Sequence, residues 1–292
     1  MTDGPNAVAR MLGILGDEWS LLIVQQTLLG ASRYGHFVDA LPVSHAVLTG
    51  RLRTLVDEDL LIRREHPAHP GVDYLATPKS RSLWPMLTSI WEWERSWVPE
   101  HRHTLPAMRH ASCDALFAPR LACQACQSAI TSEKELVAHW GPSGGWHRSI
   151  PSTTNRRRSP GRRTGVIYPQ TMTVIGDQWG FALLVAAFVG IGRFTDFRTE
   201  LGAPPATISG RLATFTGEGI LHTVGGRYVL TDKGRALLPV LVFALAWAQR
   251  WYPDPLGPAV RVTHAACRHR FQPQLTCDQC LDPLRGTQIM TV

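Results

Sequence analysis

LGILGDEWSLLIV, residues 12–24, returns as MTVIGDQWGFALLV at residues 172–185. A chain that writes one stretch twice is constrained to fold as two copies of one unit, before any element is assigned. The register is 160 residues: Gly16, Asp17 and Trp19 stand opposite Gly176, Asp177 and Trp179, and Gly30, Arg33, Phe37 and Gly50 to Leu52 opposite Gly190, Arg193, Phe197 and Gly210 to Leu212. Past Tyr74 and Tyr228 the register is 154, and it holds through Thr77/Thr231, Lys79/Lys233, Pro85/Pro239, Trp93/Trp247, Trp97/Trp251 and every cysteine. One length change of six residues therefore separates two copies of about 120 residues each.

The copies set the domain boundaries. Residues 6–98 and 168–253 carry the larger halves, and 105–130 and 260–285 carry cysteine-bearing tails. Between the copies, residues 141–165 are rich in Gly, Pro, Ser and Arg, a composition that reads as a flexible basic linker. Of 292 residues, 44% are hydrophobic and 18% charged, a globular balance that excludes disorder throughout. No basic stretch followed by an apolar run opens the chain, and the longest apolar runs, from Phe181 and Ala236, fall short of the roughly 20 residues that cross a bilayer. The expectation is a cytoplasmic protein with no membrane partner. A net charge of +7 suits a polyanionic partner, although part of it lies in the linker.

Within the first copy, Asp17 precedes an apolar run from Trp19 to Leu29 that Gly30 ends, a capped helix. A short helix from Arg33 to Leu41 follows. Ser44 caps a third, in which Leu48, Leu52 and Leu55 recur at i, i+4 and i+7 and share one buried face. LLIRRE and VDYLAT flank a Pro/Gly/His segment and read as a hairpin. Thr77 and Pro78 then open a helix running to about Trp97, with a kink at Pro85. Helix, helix, turn, helix, two-stranded wing, helix is the order of a winged helix-turn-helix. The predicted class is mainly α with small β-hairpin wings: two such domains in tandem, each followed by a small zinc-ribbon-like tail.

The segments GDEWSLLIVQQTLLGASRYGHFVDALPVSHAVLTGRLRTLVDEDLLIRRE and YLATPKSRSLWPMLTSIWEWERSW resemble the HxlR family of bacterial winged-helix transcriptional regulators. The resemblance rests on a G-x-x-W opening, an L-x-x-R-L-x-x-L third helix and a Y-x-L/A-T-x-K/G entry to the last helix, and it spans both copies. It implies binding of double-stranded DNA as a dimer, with the third helix in the major groove and the terminal helices at the dimer interface. Here two copies in tandem admit an intramolecular pseudo-dimer as well as a homodimer. The cysteine that often precedes the first helix in redox-sensing members is absent.

The third helices, Ser44 to Glu58 and Pro205 to Glu218, are the expected reading heads. Ser44, His45, Thr49, Arg51, Arg53 and Arg211 are the candidate contacts there, and Arg63, Arg64 and Arg227 on the wings, with His66 and His69 nearby. The bland alternative is that these arginines are merely solvated. The first copy, richer in basic residues at helix and wing, is expected to read DNA better. Tryptophans on the last helices, Trp91, Trp93, Trp97, Trp247 and Trp251, are either core and interface residues or the walls of a pocket for a small hydrophobic effector. The latter leaves open a small-molecule-binding or sequestering protein on the same scaffold. No nucleophile with a base and no phosphate loop stands out, so an enzyme is not expected.

All six cysteines lie in two H-x2-C-x9-C-x2-C patterns, His110, Cys113, Cys123, Cys126 and His264, Cys267, Cys277, Cys280. Cys3His is a closed tetrahedral zinc set, and two structural Zn2+ sites are expected, one per tail. Disulfides are the alternative, but three thiols per copy leave one unpaired.

Overall fold

The computed structural model describes residues 4–65, 71–150 and 169–292. His66, His69 and residues 151–165 of the linker lie outside the described residues. The first copy runs α1 (Ala7–Leu15), α2 (Glu18–Leu28), α3 (Tyr34–Ala40), α4 (His45–Asp57), β1 (Leu61–Glu65), β2 (Val72–Ala76), α5 (Pro78–Arg81), α6 (Trp84–Trp97), β3 (Met108–His110), β4 (Pro119–Cys123) and β5 (Leu136–Trp140). A four-residue α7 (Trp146–Ser149) follows. The second runs α8 (Pro169–Ile175), α9 (Gln178–Phe188), α10 (Phe194–Leu201), α11 (Pro205–Gly217), β6 (Leu221–Val224), β7 (Arg227–Leu230), α12 (Asp232–Arg235), α13 (Leu238–Trp251), β8 (Val260–His264), β9 (Pro273–Cys277) and β10 (Ile289–Thr291).

Local chemistry fixes these elements alike in both copies. Asp17 Oδ1 accepts from the Trp19 and Ser20 amides, and Asp177 Oδ1 from Trp179 and Gly180, capping α2 and α9 where the helix dipole favours a carboxylate. Leu48, Leu52 and Leu55 of α4 and Ile208, Leu212 and Phe215 of α11 are buried, so each third helix lies on its core by the face the spacing predicts. Each wing is tied to the α2–α3 or α9–α10 turn: Tyr74 donates its amide to Ser32 O, and Tyr228 to Gly192 O, both at 2.7 Å. The second wing turns on Gly225 and Gly226, both at positive φ, which glycine adopts without a Cβ clash.

Two local readings change. The expected kink at Pro85 is a break: α5 ends at Arg81 and α6 starts at Trp84, with Pro85 in its first turn. Proline lacks the N–H that a continuous helix would need there, and its ring would meet the carbonyl four residues earlier. Pro239 divides α12 from α13 in the same way. The helix α1 was not foreseen, although Asn6 as its cap and Val8, Met11, Leu12 and Leu15 on one face carry the signal.

The copies pack on each other through α6 against α13 and α1 against α13. Trp93 donates its indole N–H to Lys233 O and Trp247 donates its own to Lys79 O, both at 2.9 Å, a reciprocal pair across a pseudo-dyad. The tails do not fold separately. β3 pairs with β10, β4 with β9 and β5 with β8, so each tail strand takes its partner from the other copy. Nor is all of 141–165 a free linker. Within its described part, Arg148 is buried, bonding Gly4 O through Nε at 3.1 Å and Asp254 Oδ2 through Nη2 at 2.9 Å.

Candidate nucleic-acid interface and metal centres

With Leu48, Leu52 and Leu55 turned inward, α4 leaves His45, Thr49 and Arg53 on its solvent face. Tyr34 of α3 organises the first two: its hydroxyl lies 3.0 Å from His45 Nδ1 and 3.4 Å from Thr49 Oγ1, with its ring stacked on the imidazole. No sequence signal marked Tyr34, because the contact depends on the angle between α3 and α4. Arg53 is exposed to solvent, its Nε 3.9 Å from Asp57 Oδ2. Arg63 and Arg64 are exposed along β1. On α11 the matching solvent face carries Ala206, Ser209, Gly210 and Ala213, without a charge, and the wing adds the exposed Arg227.

Three candidate contacts are otherwise employed. Ser44 caps α4, its hydroxyl accepting from the Val47 amide at 3.4 Å. Arg51 is half-buried with Nε 3.2 Å from Asp17 Oδ1, and Arg211 places Nη2 2.9 Å from Asp177 Oδ2. The same ion pair at the same register in both copies ties the third helix to the N-terminus of α2 or α9. Arg51 and Arg211 therefore brace the helix-turn-helix of each copy, with only part of each side chain left at the surface.

Four of the five tryptophans expected at a pocket are engaged in hydrogen bonds. The indole N–H groups of Trp91, Trp93, Trp247 and Trp251 are spent on Pro106 O, Lys233 O, Lys79 O and Ser82 Oγ at 2.8 to 3.0 Å. Trp97 is at the surface. Trp93, Trp247 and Trp251 thus bond across the two copies, and Trp91 bonds within its own.

The eight metal-ligand candidates do converge, in a pairing that the spacing did not predict. One cluster joins His110 and Cys113 to Cys277 and Cys280, and the other joins Cys123 and Cys126 to His264 and Cys267, with all ligand atoms of a cluster within 4.8 Å. Each cluster thus takes a pair from each copy. The cause is the strand pairing: β4 and β9 run antiparallel with Pro119 opposite Cys277 and Cys123 opposite Pro273, which carries each C-x2-C loop to the far copy's H-x2-C loop.

The geometry fits a tetrahedral ion. Metal–sulfur bonds near 2.3 Å imply sulfur–sulfur edges of about 3.8 Å and slightly shorter sulfur–nitrogen edges. Cys113 and Cys277 sulfurs lie 3.9 Å apart, as do those of Cys123 and Cys267. His110 Nδ1 is 3.5 and 3.4 Å from Cys113 and Cys280, and His264 Nδ1 is 3.3 Å from both Cys126 and Cys267. All six cysteines are free of disulfides. Each ligand pair sits on the same turn: Asp114, Gln127, Arg268 and Leu281 lie at φ near 60° and return their amides to His110, Cys123, His264 and Cys277 carbonyls. Four non-glycine residues held in the left-handed region point to a constraint beyond the chain's own preference.

The family described as HxlR-like helix-turn-helix matches residues 14–102 and 174–255. An uncharacterized HTH-type transcriptional regulator of Mycobacterium tuberculosis is 30% identical over 127 residues, 41% of this chain and 80% of that protein. The regulator YvaP of Bacillus subtilis is 35% identical over 91 residues, 30% of this chain and 84% of that protein. A third, from Synechocystis, is 30% identical over 95 residues, 32% of this chain and 70% of that protein. Each of these matches has about the length of one copy or less. Among the described residues no helix is long and apolar enough to cross a membrane. With two winged helices, two matched segments and relatives named as transcriptional regulators, the chain belongs to the HxlR-like helix-turn-helix family as a DNA-binding regulator built from two copies in tandem.

Proposed function

We propose that this regulator acts as an intramolecular pseudo-dimer in which the first copy reads DNA and two zinc ions fasten the copies together. The observation that carries it is the contrast between the two third helices. The face of α4 presents His45, Thr49 and Arg53 beside a wing bearing Arg63 and Arg64, whereas the face of α11 is uncharged. A helix seated in the major groove specifies sequence through base-edge contacts, and wing arginines add phosphate contacts that position it. His45 and Thr49, held by Tyr34, enter such a groove with their geometry already set. The α11 face suits a supporting contact in which Arg227 alone reaches a phosphate. The cross-copy Cys3His sets are closed, with no open ligand position, which supports a structural role for zinc in a cytoplasmic protein and no catalytic one.

The experiment is selection of bound duplexes from random DNA by the full chain, followed by affinity measurements across salt for the selected and a scrambled duplex. An asymmetric site, one half strongly specified and the other weakly, is the expected outcome. Two equally specified half-sites would refute the dominance of the first copy, and no enrichment would refute sequence-specific reading.

A further inference from the structure

A cavity of about 430 Å3 opens in the half of the molecule built on α9 and α13. Its wall is apolar, made by Phe181 and Phe188 of α9, Leu238, Leu241 and Leu245 of α13 and Val262 of β8. The pseudo-dyad shows why it exists. In the other half the counterparts of Leu238 and Leu245 are Trp84 and Trp91. Trp84 lies against Gly286, where an added Cβ would stand 3.0 Å from the indole ring. Trp91 donates to Pro106 O, and Pro106 is the counterpart of the cavity-lining Val260. The same space is thus filled by two indoles in one half and left open by two leucines in the other. The polar exchange Gln25 to Val185 makes the open half more apolar still.

The mouth has its own chemistry. Trp140 and Trp146 meet edge to face at 5.0 Å between centroids on its border. Among the described residues, Glu133, Glu200 and His139 are its ionisable lining residues, and neither lysine nor arginine lines it. Glu133 is faced by Arg235 Nε at 3.5 Å, while Glu200 is exposed. We propose that this cavity binds a small apolar molecule with an aromatic or alicyclic body, either uncharged or cationic. Its volume falls in the range of small-molecule sites, and it is walled on one side by the chain's own β5 and α7, which favours a compact ligand over an inserted helix of a second copy. The site goes beyond DNA reading and stands on the cavity alone.

The test uses the full chain with Nile red as neutral probe, rhodamine 6G as cationic probe and anilinonaphthalene sulfonate as anionic probe. Saturable one-to-one binding of the first two is expected, with the anion about tenfold weaker or more. Leu238→Trp with Leu245→Trp writes the filled half's tryptophans into the open half and should lower dye affinity about tenfold or more at an unchanged melting temperature. Leu29→Trp, an exposed position of the first copy, should leave it unchanged. Should the double variant fail to fold, Val185→Gln, the first copy's residue at that place, gives the same reading with a smaller change. Undiminished dye binding by folded variants, or tighter binding of the anion, would overturn the proposal. So would self-association of the wild-type chain that the double variant abolishes, because the cavity would then belong to a second copy. DNA affinity of the same variants, measured beside the dyes, reports separately on the regulator function.

Discussion

Arg51 and Arg53 are two positions apart on α4 and face different tasks. Arg51 turns back to Asp17, and Arg53 turns out to solvent. Arg51→Ala should lower stability by about 1 kcal/mol, the order of a partly exposed ion pair, and leave the base preference of the residual binding unchanged. Arg53→Ala should leave the melting temperature alone and weaken a selected duplex by about 1 to 3 kcal/mol, relaxing one base position. Arg63→Ala with Arg64→Ala should weaken all duplexes and reduce the slope of log affinity against log salt by about 0.9 per lost phosphate contact. Thermal melts beside fluorescence anisotropy at several salt concentrations separate the three. The leucine spacing of α4 made its buried face legible, and with it the exposure of His45, Thr49 and Arg53. It could not show that Arg51, on the margin of that face, would find a carboxylate from another helix.

At the scale of elements, the tail strands and the helix ends carry the checks. If each cluster draws on both copies, Cys113→Ser with Cys277→Ser removes one site, and Cys113→Ser with Cys123→Ser, both in the first copy, removes two. Pairing within a copy would reverse these results, so metal content per chain, two in the wild type, decides. The ligand residues were legible because cysteine occurs nowhere else. Their pairing was not, because both copies carry the same nine-residue spacer and nothing in either states that β4 will choose β9.

A second check is electrostatic. Glu94 of α6 is fully buried, and loss of water holds its carboxyl above the usual glutamate range, opposed by two bonds from Thr171 of α8 and by His101 at 2.9 Å. The native chain holds that proton more tightly than the unfolded one. The contribution is therefore fully present below the ordinary glutamate value, roughly 4.3, and is lost as pH rises through the raised native value. Glu94→Gln, which keeps an acceptor for Thr171, should flatten this decline, read as urea midpoints across pH.

In the whole molecule the two copies pack on each other as halves about a pseudo-dyad. The duplication announced two domains, yet the register of the repeat could not tell two beads on a string from two interlocked copies. That distinction lies in Trp93 and Trp247 reaching across to Lys233 and Lys79 and in three ribbons with one strand from each copy. Light scattering should give the mass of one chain. After cleavage at a protease site engineered between residues 150 and 169, the fragments should co-elute and part only in denaturant with chelator. The crossed clusters also govern how the gene can change. A residue lost from either copy breaks a Cys3His cluster that both copies share, so the tails must be kept in step by selection on the pair. The third helices touch no such common object, and one can lose its arginine-bearing face while the other keeps it. Divergence of the two third-helix faces above a matched pair of tails is the pattern that crossed clusters permit.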